Sequence, residues 1–269
     1  MLRFIFMSML LAAVLTGHAE GLRIVSLAAS ITQNLYLIGA NEELVGCTRF
    51  CLTNPEDKIP VVADAVNVNL EKIVALQPDL VVAGGLTSPK TLEALERMGI
   101  QSIRLNQPKD FEEICGQCLK LGEISGHSAE AKAIVAQARE QLAAAKHNID
   151  PSHQPKVFME IGRNPLFAAV PGSFMNDYIV QAGGKNIAAG LKSGSTSREF
   201  VLLNNPDVIF VVGMGIVGEE EIEAWKKIRS LAAVRNGKVF PLDQYICSPT
   251  PLTFVETVEE IIRLMKNKE

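Results

Sequence analysis

Glu71-Lys-Ile-Val-Ala-Leu-Gln-Pro78-Asp79-Leu-Val-Val-Ala-Gly-Gly85 is echoed by Glu199-Phe-Val-Leu-Leu-Asn-Asn-Pro206-Asp207-Val-Ile-Phe-Val-Val-Gly213, with every position displaced by 128. Each copy places Glu in the first turn of a short helix, ends that helix at Pro-Asp, and continues into an apolar run that stops at Gly. Asn69 and Ser197 stand at corresponding positions ahead of the two helices as candidate N-caps. An apolar run without polar alternation reads as a strand covered on both faces, the usual state of a parallel sheet. A looser echo relates Ser30–Gly39 to Ser173–Gly183. A unit present twice predicts two equivalent lobes, and two lobes with a cleft between them form a ligand clamp by geometry alone.

Working outward, strands are expected at Leu22–Leu27, Leu44–Cys47, Asp79–Ala83 and Gln101–Leu105, with helices near Ser30–Ile38, Leu70–Leu76, Lys90–Met98 and Asp110–Ile124. A second set has strands near Lys156–Ile161, Asp207–Val212 and Lys238–Leu242, and helices near Ser173–Gln181, Glu199–Leu203, Glu219–Ile228 and Phe254–Met265. Strands alternating with helices give an α/β class with parallel sheets. Between the sets, Ser128–Asn148 carries Ala131, Ile134, Val135, Ala138, Leu142 and Ala145 on one face, with Ser128 as a candidate N-cap. This is about 31 Å of helix, ended by the two-proline stretch Asp150–Pro155. The expected division is a leader at residues 1–19, an N-terminal lobe at 20–125, one long rigid linker helix at 126–150 and a C-terminal lobe at 151–269.

The 269 residues are 48% hydrophobic, 21% charged and 6% aromatic, a globular balance that excludes disordered, collagenous and coiled-coil classes. Lys+Arg 26 against Asp+Glu 30 gives a net charge of −4 with no basic run, so no nucleic-acid partner is expected. Met1–Ala19 has Arg3, an apolar run from Phe4 to Leu15 and small residues ahead of a cut after Ala19, which reads as a cleaved signal peptide. The competing reading, a membrane anchor, needs roughly 20 apolar residues. In an exported chain five cysteines permit disulfides. Cys47 and Cys51 share one loop, and Cys115-Gly-Gln-Cys118 has thiol-oxidoreductase spacing but falls within a helical pattern, where buried apolar roles compete.

Arg23-Ile-Val-Ser-Leu27, Val45-Gly-Cys-Thr-Arg-Phe-Cys51 with Pro55, Asn69-Leu-Glu-Lys-Ile73 with Gln77-Pro-Asp79, Ala182-Gly-Gly-Lys-Asn186, and Ser197-Arg-Glu199 with Asn205-Pro-Asp207 follow one another along nearly the whole chain. In these motifs and their order the chain resembles the substrate-binding proteins of ABC importers for iron chelates, haem and cobalamin. The resemblance implies two Rossmann-like lobes joined by a single helix and a metal chelate (ferric siderophore, haem or corrinoid) held between them. It further implies delivery to an inner-membrane ABC permease dimer from the periplasm. The family's docking glutamates map onto Glu71 and Glu199. Two like carboxylates, one per lobe, suit a twofold permease bearing arginines. Helix-dipole complementarity, about 0.3 to 1 kcal/mol, is the alternative role for a first-turn Glu.

Ligands of open parallel sheets sit at the carboxyl ends of the strands. That placement nominates Arg49, Phe50, Gly85, Arg163, Asn164, Thr196 and Tyr245, with Ala28–Ser30, Ser195 and Asp243 nearby. Phe50 and Tyr245 offer faces for a flat macrocycle, and Arg49 and Arg163 offer charge for carboxylates. Cobalamin binders of the family that the chain resembles typically have a Trp-rich cleft, whereas Trp225, the single Trp, lies on a helical pattern outside this set, and Ser248-Pro-Thr-Pro-Leu252 lacks the arginines found there in many iron-chelate relatives. Gly213-Met-Gly-Ile-Val-Gly218 matches a dinucleotide fingerprint, but Glu219-Glu-Glu221 puts three carboxylates where a pyrophosphate would sit. His127, His147 and His153 flank the linker helix, so no protein metal site and no cofactor are expected. The expected protein is a monomeric, non-enzymatic receptor; the rival reading is an exported thiol-disulfide oxidoreductase using Cys115 and Cys118.

Overall fold

A computed structural model describes residues 21–64, 67–213 and 217–266; Met1–Ala19 lies outside the described residues, as does part of the Gly213–Gly218 stretch. The N-terminal half runs β1 (Ile24–Ser26), α1 (Ala29–Leu37), β2 (Leu44–Thr48), β3 (Val61–Ala63), α2 (Leu70–Ala75), β4 (Leu80–Ala83), α3 (Pro89–Arg97), β5 (Ser102–Arg104) and α4 (Phe111–Ser125). After α5 (Ser128–Lys146) come β6 (Lys156–Gly162), β7 (Phe167–Ala168), α6 (Phe174–Gln181), β8 (Lys185–Asn186), α7 (Arg198–Asn204), β9 (Val208–Val212), α8 (Val217–Lys226), α9 (Ala232–Arg235), β10 (Val239–Leu242) and α10 (Pro251–Lys266). The first sheet is parallel throughout in the order β3-β2-β1-β4-β5. In the second, β10-β9-β6 and β8 are parallel, as expected, and the two-residue β7 adds to β6 antiparallel. Four residues connect β6 to β7, a hairpin's length and too short for a crossover helix.

The duplicated stretch has a physical purpose in each lobe. Asn69 Oδ1 accepts the Lys72 N–H at 2.9 Å and Ser197 Oγ the Phe200 N–H at 3.3 Å, so both predicted N-caps form. At the other end Gln77 and Asn205 adopt left-handed φ values of 46° and 44° before their prolines. The Asp after each Pro then fastens the opening strand of its lobe: Asp79 Oδ2 accepts the Arg23 N–H, and Asp207 Oδ2 the Lys156 N–H, both at 2.8 Å. The same two cations reach back to cap the short helices, Arg23 Nη2 on the Leu76 carbonyl and Lys156 Nζ on that of Asn204, each at 2.8 Å. Cations at helix C-termini also meet the negative end of the dipole.

Alternate strand residues point to opposite layers. Ile24, Leu80, Val82, Val157, Met159, Val208 and Phe210 enter one central core, which also takes in α1, α4, α5, α6 and α10. Val25, Val81 and Ala83 face an outer core under α2 and α3, and Phe158, Ile209 and Val211 another under α7, α8 and α9. The linker helix therefore does not stand alone. Gly126, at φ 82°, ends α4 and lets α5 fold back on it, where Gly122 faces Ala131 so closely that a Cβ on it would lie 2.5 Å from that methyl. Phe111 of α4 packs on Phe254 of α10 with centroids 5.1 Å apart, and Tyr178 of α6 stacks on Phe254 at 4.4 Å. The Phe111 N–H also donates across the lobes to Asp177 Oδ2 at 2.8 Å. Ser128 is the first residue of α5 rather than its cap; His127 holds the cap position without a side-chain bond, its Nε2 instead 3.1 Å from Glu43 Oε1.

Candidate functional site

The parallel strands end on the same edge of each sheet, and most nominated residues occupy those ends. Arg49 and Phe50 follow β2 at the tip of a turn closed by the Cys51 N–H on the Thr48 carbonyl at 3.1 Å. Phe50 is 57% exposed with the Arg49 guanidinium 5.9 Å from its ring centroid. Arg49 also borders a hollow of about 580 Å³ shared with Val61–Asp64, Asn69 and Lys72. Gly85 follows β4 and must lack a side chain, because a Cβ there would sit 2.7 Å from the Gln107 nitrogen. Its carbonyl accepts from Arg104, and the next residue, Leu86, is 90% exposed. Tyr245 lies in a 3-10 turn after β10, with its N–H on Asp243 Oδ1 at 2.8 Å and half its surface open. Thr196 is held beside β7 by its N–H on the Leu166 carbonyl at 2.9 Å, and exposed Asn164 opens a cis bond to Pro165.

Arg163 follows β6, but its charge is already engaged. Its Nη1 pairs with Glu220 and its Nε with Glu221, both at 3.0 Å, so the acidic start of α8 claims the charge offered to a ligand. Glu221, 1% exposed, also binds Arg198, whose guanidinium lies 4.2 Å over the Trp225 ring. Trp225 is fully buried on α8 and donates from Nε1 to Glu160 Oε2 at 2.6 Å. Burial pushes the Glu160 carboxyl up to about 7; the Trp225 N–H opposes this and the Glu221 charge adds to it.

Glu71 and Glu199 are exposed in the first turns of α2 and α7. A bond from Ser197 holds the Glu199 carboxyl below its ordinary range. Beside them the repeat sets further matched residues that the sequence reading passed over: exposed Val74 and Ala75 correspond to exposed Leu202 and Leu203, the last 87% open. Their signal was present, since residues three and four after each Glu share its helix face. Leu52 and Phe167, exposed near strand ends, were also missed because neither belongs to a motif.

Cys115 and Cys118 lie inside α4, fully buried, and burial raises their thiols to about 12 and about 11. An oxidoreductase needs an accessible, acidic thiol; the rival enzyme reading is thereby overturned. Among the described residues no three His, Cys, Asp or Glu side chains converge as a metal site.

Residues 24–246 match the family model described as periplasmic binding protein. The chain belongs to that family. It is 29% identical over 210 residues to a vitamin B12-binding protein of Photorhabdus laumondii, covering 77% of this chain and 74% of the relative. It is 27% identical over 257 residues to an uncharacterized ABC transporter substrate-binding lipoprotein, YvrC, of Bacillus subtilis, covering 91% of this chain and 80% of that one. Among solved structures, the periplasmic vitamin B12 binding protein BtuF of Vibrio cholerae superposes with a TM-score of 0.73 at 26% identity, over 91% of this chain and 96% of that chain. Its relatives are substrate-binding transport proteins, which places this binding protein among exported proteins.

Proposed function

We propose that this binding protein captures a metal chelate between its lobes and hands it to an inner-membrane ABC permease dimer. The observation that carries the reading is the set of exposed apolar and aromatic side chains at strand carboxyl ends, Phe50, Leu52 and Leu86 in one lobe and Phe167 and Tyr245 in the other. Such faces suit a flat macrocycle, and the vitamin B12-binding relatives favour a corrinoid over haem or a ferric siderophore. Arg49 supplies the cation, with Gly85, Asn164 and Thr196 as backbone and polar contacts. Arg163, engaged by Glu220 and Glu221, shapes the wall. Glu71 and Glu199 meet permease arginines, flanked by Val74 and Leu202. Residues 20–125 and 151–269 act as the two lobes, 126–150 as the connecting helix, and Met1–Ala19 is removed on export to the periplasm. The aromatic and helical packing across α4, α6 and α10 supports small closure, and the protein acts as a monomer.

Native mass spectrometry and visible absorption of protein purified from its own host test the reading. A bound species with the mass and colour of a corrinoid, or saturable uptake of cyanocobalamin by the purified protein, is expected. Protein that takes up neither cyanocobalamin, haemin nor a ferric catecholate overturns it.

A further inference from the structure

All five cysteines are present as thiols, and one pair stands apart. Cys47, in β2, is buried, whereas Cys51 is partly open in an otherwise exposed loop. The turn closed by the Cys51 N–H on the Thr48 carbonyl reverses the chain and carries Cys51 back towards Cys47, so that each thiol acts on the other. Thr32 Oγ1 and Thr48 Oγ1 lie 3.1 and 3.2 Å from Cys51 Sγ. The Thr48 hydroxyl accepts the Phe50 N–H at 3.3 Å, which leaves its own proton free to point at the sulfur. The neighbouring Cys47 thiol, with help from the Thr48 hydroxyl, holds the Cys51 thiol below its ordinary range, while the nearby Cys51 and burial push Cys47 up. One sulfur is thus prepared as the attacking thiolate and the other as the resolving thiol.

We propose that Cys47 and Cys51 form a redox-active dithiol that exchanges with small disulfides and closes across the Arg49–Phe50 turn. The Cys51 thiolate attacks one sulfur of a small disulfide and expels a thiolate. Cys47, its proton passed to that leaving group, attacks Cys51 Sγ of the mixed disulfide and expels the second thiolate. Two protein thiols are oxidised, one small disulfide is reduced to two thiols, and the cross-link encloses Thr48, Arg49 and Phe50. The shape of that part of the surface then follows the redox state. No bound chelate takes part in this chemistry, so it and the transport reading fail separately.

The folded chain is incubated with oxidised glutathione, quenched in acid, alkylated, digested and mapped by mass spectrometry. The expected product is a Cys47–Cys51 peptide lighter by two hydrogens and closed to alkylation, with Cys115 and Cys118 alkylated only after unfolding. Cys47→Ser stalls as a stable glutathione adduct on Cys51, while Cys51→Ser forms an adduct on Cys47 at least about tenfold more slowly. A stable adduct on Cys51 in the parent chain, equal rates in the two variants, or no reaction at Cys51 overturns the proposal.

Discussion

Replacing Glu160 with Gln tests the buried carboxylate pair beneath α8. Glu160 is 2% exposed, accepts the Trp225 N–H and feels the charge of the buried Glu221 carboxylate. Its carboxyl is raised from 4.5 to about 7 by burial first and by the Glu221 charge second, against the opposing Trp225 N–H. The folded state therefore holds a proton that the unfolded chain has already released. Stability from this group is complete below about pH 4.5 and is lost as pH rises through about 7, a total of about 3 kcal/mol at 1.36 kcal/mol per pH unit. Glutamine copies the protonated acid: its oxygen accepts from Trp225 and it places no charge beside Glu221. Glu160→Gln should match the parent within about 1 kcal/mol near pH 5 and exceed it by about 3 kcal/mol near pH 8, or roughly 5 to 10 °C in Tm for a chain of this size. Thermal unfolding followed by circular dichroism at several pH values measures the difference. Parallel pH dependences for variant and parent would refute the buried-proton account.

Glu71→Ala with Glu199→Ala is expected to leave chelate affinity within about twofold but to lower uptake in a transport assay by more than about tenfold, since charge-assisted pairs with permease arginines are lost. Phe50→Ala with Tyr245→Ala should weaken cyanocobalamin binding about tenfold by equilibrium dialysis, at about 0.5 to 1.5 kcal/mol per aromatic contact. Gln77→Gly relieves a left-handed φ and should stabilise by about 0.5 to 1 kcal/mol in urea unfolding. Asn205→Gly, at a matching φ, should instead destabilise by about 1 kcal/mol, because Asn205 Oδ1 holds the Ala232 N–H at 2.8 Å. Asp207→Ala strips the acceptor from the Lys156 N–H and should cost about 1 to 3 kcal/mol by the same measurement.

Both sheets, their helices and the strand-end location of Arg49, Phe50, Gly85 and Tyr245 were legible because apolar runs and Pro-Asp stops are local signals. β3, β7, β8 and α9, of two to four residues, were not. Arg163 shows a second limit. Its position after β6 was apparent, but its partners Glu220 and Glu221 lie 57 and 58 positions away, beyond any local pattern.

From residue order alone came the duplication at an offset of 128, the two-lobe α/β class, both N-caps and the placement of Cys115 and Cys118 on a helix. Periodicity and capping depend on neighbours a few residues away, so a single chain reveals them. Tertiary structure decided that α5 is packed with α4 and α10 rather than bridging freely, that Glu160 shares its burial with Glu221, and that Thr32 stands over Cys51. Each of these joins side chains from separate elements, and which sulfur, carboxylate or guanidinium meets which partner is settled only when the sheets and helices close on one another.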